Sequence, residues 1–266
     1  VTRRTFGALL AAPLIIRAEN AKTRGEQAIK ECIAALGGNT FLNMQDRLET
    51  GLAASFYREK VSGMSPAELH TRYQEPPNPI PVSFDGLLER QVFGKKKEDV
   101  VLFTPGGGWE VTFRGVRPLP DETVSKHKEA VIANFLYILR MRLNEPGLII
   151  EHHGLDVADN QRVERVDILD DADRSISVYL NADTKLPVMQ RYMRFDPFYK
   201  EKIEEVTRWS KYRQIGGLTW PLTVVREHDG EMIYQMFSDR FSINNNFDPK
   251  LFQLPQGMQM LKKESF

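Results

Sequence analysis

"LTWPLTVVREHDGEMIYQMFSDRFSI", residues 218–243, is the stretch on which the fold turns. Two runs rich in β-branched and aromatic residues flank Asp229-Gly230, a pair suited to a two-residue hairpin whose central positions both need a positive φ. Pro221 has no N–H to give a ladder, which places its part of the strand at an edge or a bulge. Towards the N-terminus the same grammar repeats. "EEVTRWSKYRQI" precedes Gly216-Gly217, "LPVMQRYMRF" follows the polar turn "NADTK", and "RVERVDIL" and "SISVYL" flank the acidic turn "DDADR". Hairpins that succeed one another without intervening helices form an antiparallel meander.

The first half of the chain carries the same signals between Leu48 and Arg114. "LETGLAASFYREK", "LLERQVFGK", "DVVLFTP" and "WEVTFRG" are short, β-branched or aromatic, and separated by turn formers. "GKKKED", with Lys95 to Lys97, reads as a solvated hairpin tip. "TPGGGWEV" runs into a strand and lacks a following Gly-Lys-Ser/Thr, so it is a turn before Trp109 and does not cradle phosphate at a helix N-terminus.

Two segments keep a helical period instead. In "TRGEQAIKECIAALGG", Thr23 and Glu26 have capping-box spacing, Ala28, Ile29, Cys32, Ile33 and Leu36 share one face, and Gly37-Gly38 supply a stop. "SKHKEAVIANFLYILRMRLNEPG" reads as one helix near residues 125–143, with Val131, Ile132, Phe135, Leu136, Leu139 and Leu143 in a broad apolar stripe and Pro146-Gly147 ending it. That stripe must face a sheet, a ligand or both. The expected class is α+β, with one antiparallel sheet.

The chain opens on Arg3-Arg4, an uncharged run from Phe6 to Ile16, and a return to polar sequence at Arg17. The run is too short to span a bilayer, which takes about 20 apolar residues. Its layout is that of a secretory signal peptide, and the paired arginines resemble the twin-arginine export motif. The expectation is a signal peptide over residues 1–18, cleaved near Ala18, and a single domain over 19–266, periplasmic or secreted.

Composition is that of a globular chain, with 41% hydrophobic and 27% charged residues and zero formal net charge in 266 residues. Residues 1–18 hold three arginines and no acid, so the remainder is weakly acidic and offers no electrostatic footprint for nucleic acid. Cys32 is the only cysteine, which excludes an intrachain disulfide. On the apolar helix face it reads as a small core residue.

No stretch makes a strong catalytic case. Glu151-His152-His153 is the most tempting metal cluster, but adjacent histidines on a strand point to opposite faces. "DILDDADRS" lacks the glycine and the closing glutamate of an EF-hand loop, and no G-x-S-x-G elbow occurs. No metal and no cofactor is expected, and the chain reads as non-enzymatic.

Three stretches carry a family resemblance. "QAIKECIAALGG" is a helix ending in Leu-Gly-Gly, followed by the strand around "ETGLAASFY". "SISVYLNADTKLPVMQRY" is a strand, a Thr-containing turn and Leu186-Pro187 opening the next strand. "YRQIGGLTWPLTVV" leads to "FSINNNFDPKLFQLP" with its Asn-rich turn. Over about residues 26–255 the pattern resembles the outer-membrane lipoprotein carrier superfamily, the LolA/LolB-like proteins of the periplasm. The resemblance implies a strongly curved antiparallel sheet, an unclosed barrel with helices over its concave face, around an apolar cavity that binds a lipid, an acyl chain or a lipoprotein without bond chemistry.

The candidate lining of that cavity is Phe103, Trp109, Phe113, Phe135 and Leu139. Implied partners are lipid or lipoprotein acyl chains and an envelope protein, without nucleic acid and without a membrane span after processing. Two other readings compete with the carrier. One is an envelope signalling or scaffold module that uses the same half-barrel for protein contact, and the other is a secreted hydrolase.

Overall fold

The computed structural model describes residues 12–196 and 200–263, so Arg3 and Arg4 lie outside the described residues. The chain begins with α1 (Ala12–Leu36) and α2 (Asn39–Leu42), then the strands β1 (Asp46–Tyr57), β2 (Lys60–Tyr73), β3 (Leu87–Phe93), β4 (Asp99–Thr104), β5 (Gly107–Thr112) and β6 (Gly115–Pro118). After α3 (Asp121–Ala133), α4 (Phe135–Tyr137) and a π-helical turn (Ile138–Arg142) come β7 (Ile149–Ala158), β8 (Gln161–Leu169), β9 (Ser175–Asn181), β10 (Pro187–Asp196), β11 (Glu201–Ile215), β12 (Leu218–His228) and β13 (Glu231–Ile243). A 3-10 turn, Pro249–Phe252, follows.

All thirteen strands form one antiparallel sheet in the order β6-β5-β4-β3-β2-β1-β13-β12-β11-β10-β9-β8-β7. Two meanders are joined by the pairing of β1 with β13, and the sheet is not closed. Its curvature follows from two consecutive residues of α3. Lys126 reaches Asp196 of β10 at 3.3 Å, while His127 stacks on Phe103 of β4. Seven inter-strand steps separate β4 from β10, about 34 Å in a flat sheet at 4.8 Å per step. Neighbouring side chains span that interval only because the sheet wraps around α3. The α+β class expected from the hairpins and the unclosed, curved antiparallel sheet that the resemblance implies are the fold observed.

Local chemistry explains the turns. Asp229 and Gly230 have φ of 48° and 82°, the pair of positive values that the two-residue hairpin requires. Pro221 sits beside Tyr212 of β11, and the pairing of β12 with β13 starts only at Thr223, so the missing N–H faces no ladder.

Two helix readings are corrected. Among the described residues the first helix spans Ala12–Leu36, so Thr23 and Glu26 lie inside α1 and do not mark its N-terminus. Between residues 14 and 23 neither glycine nor proline occurs to break the helix. The helix expected over residues 125–143 is interrupted. Asn134 is extended (φ −69°, ψ 124°), and its side chain caps the next turn by accepting from the Tyr137 N–H at 3.2 Å. Gln190 of β10, buried, satisfies the freed backbone groups by accepting from the Phe135 N–H at 2.6 Å and donating to the Ala133 carbonyl at 3.2 Å. A partner 55 residues away thus stabilises the break.

The main core joins α1 (Ala28, Ile29, Cys32, Leu36) and the segment after the break (Phe135, Leu136, Ile138, Leu139) to the inner face of β8 to β13. Cys32 is fully buried there, and burial pushes its thiol well above the ordinary range. Below this core an ion cluster anchors the π-helical turn. Arg142, fully buried, donates to Glu145 at 2.6 and 2.8 Å, to Asp170 at 2.9 Å and to the Ile132 carbonyl at 2.6 Å. No helix among the described residues is long and apolar enough to cross a membrane.

Candidate ligand cavity

Between α3 and the concave face lies a cavity of about 290 Å³. Strand period two puts one face of each strand into it: Arg47 and Glu49 from β1, Leu69 and Tyr73 from β2, Leu87, Glu89 and Gln91 from β3, and Tyr234 and Met236 from β13. β11 adds Trp209, and β12 adds Trp220, Pro221, Val224 and Arg226. The roof is His127, Ala130 and Val131 of α3, with Asn134, Leu136 and Tyr137 beyond the break. A larger groove of about 530 Å³, mostly polar, opens elsewhere between Arg72, Glu75 and Arg140 and shares only Tyr73 with the cavity. The cavity under α3 has the aromatic walls that suit an apolar ligand.

Its polar groups are mostly spent on one another. Arg47 donates to Glu49 at 3.0 Å and to the Tyr73 hydroxyl at 2.5 Å, and its guanidinium lies 5.3 Å from the Trp220 ring centre. Glu49 also accepts from Ser238 at 3.1 Å. In one cross-strand row Arg47 pairs with Thr71, and Thr71 with Glu89. Burial opposes ionisation of Glu89, but His127, Gln91, Arg47 and Arg226 outweigh it and hold its carboxyl below the usual range. Burial also keeps His127 below the usual imidazole range, against the pull of Glu89. Burial pushes the Tyr234 phenol up to about 12.

The five residues proposed from the sequence as lining lie elsewhere. Phe103 is buried behind His127, its ring 3.6 Å from the imidazole, and so supports the roof from outside. Trp109 packs on Val92, Val100, Val111 and Val116. Phe113 is 77% exposed at the β5–β6 turn, with the Arg114 guanidinium over it at 5.4 Å. Phe135 and Leu139 are buried in the main core. None of the five borders the cavity. The break at Asn134 is the physical reason for the last two: it takes Phe135 and Leu139 off the face that Ala130 and Val131 present to the cavity.

The lining that sequence reading missed left a partial signal. Trp220, Leu222, Val224 and Arg226 alternate along β12 ahead of Asp229-Gly230, which places them on one face but not on the concave one. The histidines of β7 have separate carboxylate neighbours, His152 with Glu164 and His153 with Asp167, each at 3.3 Å. Among the described residues no group of three or more His, Cys, Asp or Glu side chains is placed to hold a metal ion.

No family model matches the chain, and no curated protein matches it in sequence. Solved structures do. An outer membrane lipoprotein-sorting protein domain from Vibrio parahaemolyticus is similar with a TM-score of 0.53 at 12% identity, over 87% of this chain and 97% of that one. A DUF1329 family protein from Desulfovibrio piger is similar with a TM-score of 0.55 at 11% identity, over 86% and 97%. At such identities the likeness is one of fold, and the chain shares the fold of these two solved proteins.

Proposed function

We propose that this protein is a non-enzymatic carrier or sensor that takes a lipid or acyl chain into the cavity under α3. The observation that carries the reading is the cavity itself, walled by Leu69, Leu87, Trp209, Trp220, Val224 and Met236. An acyl chain gains about 0.8 kcal/mol per buried methylene, so an apolar cavity with an open mouth suffices for binding. At about 290 Å³ the cavity sits at the low end of small-molecule sites, roughly 300–1,000 Å³, which suits one chain. A bulkier lipid requires α3 to lift, and the break at Asn134 is the hinge for that motion. The lipoprotein-sorting name of the Vibrio parahaemolyticus domain supports the same reading.

Purified protein is expected to take up a fluorescent fatty-acid probe, and natural lipid to displace it. Ala130→Trp fills the cavity from a helical position that is not fully buried, and uptake is expected to fall at least tenfold with the circular dichroism spectrum unchanged. Lys95→Glu, on the remote β3–β4 turn, is expected to change nothing. A well-folded wild type without probe uptake or co-purifying lipid overturns the carrier reading in favour of a protein-contact module.

Export through the twin-arginine route belongs to the same proposal. Replacing Arg3 and Arg4 with lysine keeps the charge and is expected to hold uncleaved precursor in the cytoplasm. Unimpaired export of that variant removes the motif reading.

A further inference from the structure

The aromatic cavity continues past Arg226. A second chamber of about 210 Å³ follows α3, and His127, Ala130, Asn134, Arg226 and Ile233 border both spaces. The two differ in character. The first sets aromatic and aliphatic walls beside the polar residues Arg47, Glu49, Glu89 and Gln91, whereas the second is lined mainly by polar side chains, among them Lys126, Arg194, Glu205, Thr207 and His228. In the second, the carboxylates already have cationic partners. Glu205 receives Arg194 at 2.7 Å and lies 2.8 Å from His228, and Arg194 and Lys126 each lie 3.3 Å from Asp196, outside the chamber lining.

Arg226, at the passage between the chambers, differs from these cations. Among the described residues it forms no ion pair, and its guanidinium lies over the Tyr234 ring, 5.7 Å from the centre. Glu89 feels its charge but also draws on His127, Gln91 and Arg47, so Arg226 is not committed to it. Along β12, Trp220, Val224 and Arg226 share one face, and at about 3.3 Å per residue Trp220 and Arg226 lie about 20 Å apart. The face is apolar at one end and ends in an uncommitted cation at the other.

We propose that the ligand is a single-chain anionic amphiphile, its tail in the aromatic chamber and its carboxylate or phosphate head received by Arg226 at the passage. The inference rests on the carrier reading and names the chemistry of its ligand. A planar guanidinium matches both oxyanions through paired N–H donors, and Arg226 is exposed, so a head group reaches it from solvent.

The test is displacement of a fluorescent fatty-acid probe from the full chain by three competitors of equal tail length below their micelle concentrations: dodecanoate, dodecyl phosphate and dodecanol. Both anions are expected to compete about tenfold better than the alcohol, equivalent to about 1.4 kcal/mol. Inorganic phosphate alone is expected not to compete, which separates a lipid head from a free anion. Arg226→Gln is expected to reduce both anions to the level of dodecanol while leaving dodecanol unchanged, and Arg226→Lys to keep part of the preference. Equal competition by all three in the wild type, or equal weakening of all three by Arg226→Gln, overturns the head-group assignment and leaves the carrier reading standing. Failure of the wild type to bind the probe at all overturns both. Competition by inorganic phosphate overturns the amphiphile in favour of an anion site.

Discussion

The rings of Phe103 and His127 lie face to face, centres 3.6 Å apart and planes inclined by 7°. Burial keeps the His127 imidazole below its usual range, against the pull of Glu89. The unfolded chain therefore takes up the proton first as the pH falls. The stability tied to this group is complete above the ordinary imidazole range near 6.5 and is lost as the pH drops through the depressed folded value. His127→Phe keeps a flat ring on Phe103 and removes the titration. The slope of unfolding free energy against pH between about 7 and about 5 is expected to shrink in that variant. It does not vanish, because burial also lowers His70. An unchanged slope in denaturant titrations at several pH values counts against a buried neutral His127.

Arg142 is expected to be the most costly single side chain to remove. Its truncation to methionine leaves Glu145 buried without its cation and Asp170 with Arg174 alone. Losing one partner of a buried pair costs about 3–5 kcal/mol. The denaturation midpoint of Arg142→Met is expected to fall accordingly, and a change below about 1 kcal/mol would mean that the cluster is hydrated.

Thr71 makes the opposite case. It is fully buried, and its hydroxyl has no hydrogen-bond partner. An unsatisfied buried polar group costs about 1–3 kcal/mol, so Thr71→Val is expected to raise stability by about 1 kcal/mol. In a chain of this size that corresponds to about 2–4 °C in Tm. A lower Tm would reveal a bound water or an unseen partner for the hydroxyl.

Gly230→Val is expected to destabilise the last hairpin. Open space surrounds the position, so its φ of 82° alone is responsible. A β-branched residue pays about 1–2 kcal/mol in left-handed backbone. Gly230→Asn, which tolerates that conformation, is expected to recover most of the loss in thermal melts.

Most of the strands were legible because their signals are local: Asp229-Gly230, Gly216-Gly217 and the polar turns each mark a hairpin within a few residues. The break in the 125–143 segment was not, since Asn134 leaves the helix only where Gln190, far along the chain, satisfies the freed groups. The cavity lining failed for a related reason. Phe135 and Trp220 are equally apolar in sequence, and only the wrapping of the sheet around α3 decides which is core and which is wall. Arg226 carried no mark at all, for an uncommitted cation is defined by its neighbours.

The pairing of β1 with β13 has a consequence for how the chain acquires its structure. The other strand-to-strand pairings join neighbours in the chain, so each meander can zip up from its hairpins, with Val116 of β6 bridging in addition to Met260. The seam differs, because next to it the Asn245 N–H reaches the Asp46 carboxylate across 199 positions. Closing so long a loop must precede any gain from the contacts it allows. The seam is therefore the slow, late event of folding. Until it forms, β1 and β13 are open edges that invite pairing between chains, so dilute conditions should favour refolding, and loss of β13 should leave β1 as a permanent site of aggregation.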